Sequence, residues 1–139
     1  MATLKMLRTC SVFILFVCGA LASGEIAASE EVKLAGADFT AKIAGNTVVG
    51  DTVSGVMFQV YYAKNGTMKG YSEKGDWSGS DEGKWEAESD KICYQWSNWR
   101  QGKRFCRKVS SKGDTIFFYL LDDDLNSTGE IESGNSRGL

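Results

Sequence analysis

The chain has 139 residues, with 16 glycines, four cysteines, four tryptophans and neither histidine nor proline, and its formal charge is −2. That length accommodates one domain. The missing imidazole excludes Ser-His-Asp and Cys-His catalysis, together with His-bearing zinc sites.

The first 22 residues have the layout of a secretory signal peptide. Lys5 and Arg8 form a basic start, Val12 to Cys18 is apolar, and Ala20-Leu21-Ala22 is a small-x-small cleavage site. The apolar run is shorter than the roughly 20 residues of a membrane span, so no transmembrane segment is expected after cleavage. Removal takes away two cations and an apolar stretch, which leaves a more acidic domain. A net acidic domain is a poor generic nucleic-acid binder. Cys10 and Cys18 leave with the signal, so Cys93 and Cys106 remain as a pair. Export to the periplasm or beyond the cell places that pair in an oxidising compartment, where a disulfide is expected. Its loop is close to the ~15-residue case for which chain entropy gives about 3 kcal/mol.

Residues 23–31 are small and polar and read as a flexible lead-in. The segment 32–45 is predicted as a short helix, because Ala35, Phe39 and Ile43 share one face and Gly45-Asn46 supplies a stop. From 46 to 139 the pattern changes to a single β domain of short strands. The first candidates are Thr47–Asp51 and Gly55–Tyr62, the latter with Val56, Phe58, Val60 and Tyr62 on one face. Asn65-Gly66 is a hairpin turn, and Thr67–Ser72 is its return strand. Glycine-rich turns frame Gly75–Ser78 and Gly83–Glu88. Lys91–Trp96, Lys103–Ser110, Thr115–Leu121 and Ser127–Glu132 follow, separated by polar turns. Seven to nine strands with connections this short predict a mainly β, antiparallel meander. Closure into a small barrel would remove its edges; a two-sheet sandwich is the competing closure. If Cys93 faces Cys106, Tyr94 faces Phe105, which puts the aromatic pair and the disulfide on opposite faces.

Several motifs fall in a fixed order: Gly45-Asn46-Thr47-Val48, Val60-Tyr61-Tyr62 with Asn65-Gly66, Gly83-Lys84-Trp85, Cys93-Tyr94-Gln95-Trp96 and Cys106. The ordered set, from Leu34 to Ser133, resembles a family of small secreted proteobacterial proteins of unknown function. The resemblance implies export and a compact β fold, and it implies no catalytic residues. Gly-x-Trp is also similar to a hallmark of lipocalin-like barrels, in which a tryptophan closes one end. By that likeness Trp85 would close the barrel, while the aromatic faces of the strands put Phe58, Tyr62 and Phe118 toward its interior.

Two constellations could carry chemistry. Asp122, Asp124 and Asn126 have the spacing of the first ligands of a calcium loop, but Ser127 and Ser133 stand where glycine and glutamate are needed. A hairpin turn explains them better; no metal or other cofactor is expected. The run Arg100, Lys103, Arg104, Arg107, Lys108, Lys112 contains no acid and lies beside Trp96 and Trp99. It reads either as a surface for an anionic polymer, acidic protein or lipid headgroup, or as cations paired with the acidic strands before it. Nothing in the sequence singles out a pair of carboxylates for hydrolysis.

The expected function is a non-catalytic, monomeric interaction module presenting the Trp96–Lys112 hairpin to an envelope or extracellular partner. A carrier of a small apolar ligand inside the barrel is the alternative, and a carboxylate hydrolase stands third. A hollow interior would favour the second, and a filled one would exclude both the second and the third.

Overall fold

The computed structural model describes residues 29–139; the expected signal peptide and most of the lead-in lie outside them. Two-residue β1 (Val32–Lys33) and helix α1 (Gly36–Ile43) precede eight longer strands. These are β2 (Asn46–Thr52), β3 (Met57–Tyr62), β4 (Thr67–Lys74), β5 (Trp77–Ala87), β6 (Ile92–Trp96), β7 (Phe105–Lys112), β8 (Thr115–Tyr119) and β9 (Leu125–Glu132). Each strand from β2 to β9 pairs antiparallel with its neighbours in sequence, and β9 returns to β2. The ring of ladders has no gap, so the architecture is a closed eight-stranded up-and-down barrel and not a sandwich. Closure satisfies the backbone groups that an open sheet would leave at its edges. No described helix is long and apolar enough to cross a membrane.

Two expectations about the elements need correction. The segment 32–45 is not one helix. Val32 and Lys33 pair with Ser111 and Ser110 on β7. Leu34 donates its N–H to the Val109 carbonyl at 2.9 Å, and the Glu31 carboxylate accepts from the Ser110 and Tyr119 hydroxyls. Tertiary partners therefore override the helical spacing, and Glu31 is tied down instead of belonging to a flexible lead-in. Secondly, Gly75–Ser78 and Gly83–Glu88 are not separate strands, since β5 runs unbroken through Gly79 and Gly83. Gly83 is there because of crowding: a Cβ would come within 2.5 Å of the Gln95 carbonyl oxygen and 2.8 Å of Met68.

The two ends of the barrel are built differently. At one end α1 lies across the opening and buries Phe39 and Ile43 completely. The Phe39 ring meets Tyr62, Trp85 and Phe118 edge-on, with centroids 6.1, 6.1 and 6.4 Å away. Such T-shaped pairs align ring edges with ring faces and add to the gain from area burial. Trp85 is held in place by its indole N–H, which donates to the Ala63 carbonyl at 3.0 Å. The opposite end is bounded by the β2–β3, β4–β5, β6–β7 and β8–β9 loops. On the barrel wall Cys93 and Cys106 sit directly across the β6–β7 ladder and form a disulfide. The next rung inward pairs Tyr94 with Phe105, their rings 5.2 Å apart.

Candidate functional site: the open end of the barrel

Strand alternation decides what faces the interior. Phe58, Val60 and Tyr62 of β3, Tyr94 and Trp96 of β6, Phe105 and Arg107 of β7, and Phe118 of β8 all line one cavity of about 420 Å³. That volume lies within the roughly 300–1,000 Å³ typical of small-molecule sites. Thr52, Ser54, Asn126 and Ser127 add a few polar atoms, and no carboxylate belongs to the lining. Because α1 fills the other end, the hollow part is confined to the loop-bounded half. Exposed Val53, Trp77 and Leu121 sit in or beside the loops of this end.

Trp96 and Trp99 do not project outward from the β6–β7 hairpin. Trp96 is buried, Trp99 is half-buried, and their rings lie 4.8 Å apart over Gly70. A Cβ at Gly70 would fall 2.6 Å from Trp96 and 2.9 Å from Trp99, so only glycine lets the indoles lie against β4. The loop carrying Trp99 is anchored by Asp81, a buried carboxylate on β5. Asp81 accepts from the Asn98 N–H at 2.9 Å, the Asn98 amide at 3.0 Å and the Trp99 N–H at 2.8 Å. Burial raises the Asp81 pKa, but these donors outweigh it and hold the carboxyl below its ordinary range. A depressed pKa stabilises the folded loop at pH above the unfolded value of about 3.9. That contribution is lost as the pH falls through the lower, folded value. Asp81→Asn turns an amide donor toward donors and is expected to cost about 1–3 kcal/mol. Thermal unfolding at neutral pH checks this. As the pH falls through that lower value the wild-type Trp99 environment should relax toward that of the variant, as read by tryptophan fluorescence.

Beyond Asp81 the chain makes an unusual turn at Trp99–Gly102. Arg100 and Gln101 both adopt the left-handed region, with φ of 56° and 59°, a conformation that residues with a Cβ seldom take. The turn brings the Arg100 guanidinium over the Phe105 ring at 4.2 Å. Arg107 lies over the same ring at 4.8 Å. Arg107 is 8% exposed. Its Nη1 donates to the Cys106 carbonyl at 2.9 Å and its Nε to Asn126 at 3.3 Å. It forms no ion pair among the described residues. Desolvation, with Arg100 nearby, pushes its pKa down. Tyr94 is 6% exposed, and its hydroxyl is buried without a hydrogen-bond partner. Burial drives the Tyr94 pKa upward. The neighbouring Tyr62 hydroxyl adds to that shift.

The cation run divides by strand alternation. Arg104 points outward and bonds Glu86 at 2.5 Å and Glu88 at 2.6 Å, above the disulfide. Lys108 pairs with Asp123 at 2.8 Å. Arg100 and Lys103 are exposed on the loop and have no ion pair among the described residues. Of the candidate calcium ligands, Asp122 accepts from the Asp124 N–H within a tight turn, and Asp123 has φ of 73°. Asn126 faces the barrel and accepts from Arg107. The three therefore do not converge, and no cluster of three or more acidic or cysteine side chains that could hold a metal occurs among the described residues.

Phe58, Tyr62 and Phe118 line the cavity, whereas Trp85 belongs to the plugged end. The sequence presents Asp81 only as one acid of the strands that precede the cation run, and Tyr94 and Phe105 only as a cross-strand pair. One signal was present: Arg107 interrupts an inward-facing series of Phe105 and Val109. No known protein family matches the chain, and neither a curated protein nor a solved structure matches it.

Proposed function

We propose that the protein is a non-catalytic carrier that holds a small apolar molecule in the open half of its barrel. The observation that carries this reading is the aromatic-lined cavity of about 420 Å³ beside a fully plugged opposite end. An apolar occupant would lose its water-exposed surface to Phe58, Val60, Trp96 and Phe118, which is favourable in proportion to the area covered. A cavity wall without carboxylates gives no acid–base pair for hydrolysis. The Cys93–Cys106 disulfide supports a working place outside the reducing cytoplasm, periplasmic or extracellular.

The test is uptake of a neutral probe, N-phenyl-1-naphthylamine, read by its fluorescence. Wild type should take it up. Val60→Phe adds a ring to the cavity from a wall position and is expected to weaken uptake about tenfold at a stability cost of about 1–3 kcal/mol, which leaves the domain folded. Undiminished uptake by Val60→Phe would place the probe elsewhere. A second reading rests on exposed Arg100 and Lys103, which support the 97–104 loop as a contact for an anionic envelope or extracellular partner. Rising salt separates the two, since it weakens surface charge contacts and leaves apolar burial intact.

A further inference from the structure

Building on the carrier reading, we propose that the ligand is an apolar molecule with a single anionic head, chemically a fatty carboxylate, received by Arg107 and Tyr94. Three observations converge. Arg107 is the buried guanidinium of a largely aromatic wall whose lining also includes exposed Arg100 and a few hydroxyl and amide groups, and no carboxylate. Uncompensated buried charge is costly unless something pairs with it. Only Nε and Nη1 find acceptors in the chain, so Nη2 has no protein partner among the described residues. Tyr94 lines the same cavity and brings a buried hydroxyl with no partner of its own.

A carboxylate supplies what both groups lack. One oxygen accepts from the guanidinium and the other from the phenol, while the tail lies against Phe58, Val60 and Phe118. Arg and Tyr donors suit a carboxylate because such charge-assisted bonds are short and strong in a dry site. A monoanion fits better than a phosphate dianion, since of the two lining guanidiniums only Arg107 is buried, Arg100 is exposed and solvent-screened, and desolvation grows steeply with charge. Arg100 lies over the same Phe105 ring as Arg107 and also belongs to the cavity lining. Being exposed, it adds positive potential where an anion would arrive.

The experiment is calorimetric titration of the whole disulfide-bonded protein with dodecanoate, dodecan-1-ol and dodecylammonium, which share a tail and differ in head charge. Dodecanoate is expected to bind about tenfold or more tighter than dodecan-1-ol, and dodecylammonium weakest. Arg107→Met should remove the preference, bringing dodecanoate to the level of the alcohol measured on the same variant. It should also keep or raise the unfolding temperature of the free protein, because it removes an unpaired buried charge. Tyr94→Phe, which only deletes an unpartnered hydroxyl, should narrow the dodecanoate-over-dodecan-1-ol ratio about fivefold. If Arg107→Met does not fold, the wild-type preference and its erosion in Tyr94→Phe decide the matter. Equal wild-type affinity for acid and alcohol overturns the head-group assignment and leaves the carrier reading standing. Binding of none of the three, together with no uptake of the neutral naphthylamine, overturns both.

Discussion

Phe39→Ala is expected to lower stability by about 3–5 kcal/mol, the range for deleting a fully buried phenyl group. Phe39 is 1% exposed and touches three aromatic rings that come from three different strands. Its removal therefore leaves a hole where Tyr62, Trp85 and Phe118 meet, and strands locked in ladders cannot close on it. A domain of this size has about 5–15 kcal/mol in total, so the loss is a large part of the whole. Denaturant unfolding measures it, with Ile43→Val on the same helix as a mild control at about 0.5–1.5 kcal/mol. Similar losses for the two would mean that α1 is a loosely attached cover and not a plug. A destabilised plug should also let water into the far end of the cavity, so weaker uptake of neutral probe is expected to accompany it.

Replacing Cys93 and Cys106 together by alanine should cost about 3 kcal/mol, as expected for a loop of this length. The bridge spans a sequence separation of 13 and encloses the loop that carries Trp99, Arg100 and the left-handed turn. Its effect has two parts. The unfolded chain gains freedom, and the β6–β7 rungs lose the crosslink that fixes Tyr94 opposite Phe105. Chemical unfolding with and without a thiol reductant separates oxidised from reduced protein, and the reductant should have no effect on the double variant. A shift below about 0.5 kcal/mol would show that the ladder alone holds this hairpin. The Arg104 contacts with Glu86 and Glu88 are exposed and are not expected to compensate, since such pairs contribute little.

The strand order could be read from glycine and Asx turns, and the rungs Cys93–Cys106 and Tyr94–Phe105 from the expected disulfide together with alternation. Pairing that joins distant segments could not be read. Val32 and Lys33 follow a helical spacing locally and become a strand because Ser110 and Ser111 lie beside them. Gly79 and Gly83 resemble turn residues because glycine marks both turns and close approaches, and only the neighbouring strand distinguishes the two. The candidate site divides in the same way. Inward aromatics such as Phe58, Tyr62 and Phe118 follow from alternation. Trp96 and Trp99 lie beside a basic run and so suggest an outer surface, but Gly70, far away in sequence, opens the space that draws them in. Whether a barrel is hollow depends on the summed volume of side chains from all its strands, and no single segment displays that sum.

The meander has a kinetic consequence. Seven of its ladders join strands adjacent in sequence, and each can form as a local hairpin; the eighth pairs β2 with β9, Thr47 meeting Glu132. Pairings at such separation are slow, because the intervening chain must already be ordered or else lose much freedom. A chain that has made its hairpins but not this seam is a curled sheet with two bare edges. Either edge can accept a strand from another copy as readily as from its own far end. The rate at which β2 finds β9, set against the concentration of unfinished chains, thus governs how much of the protein closes on itself.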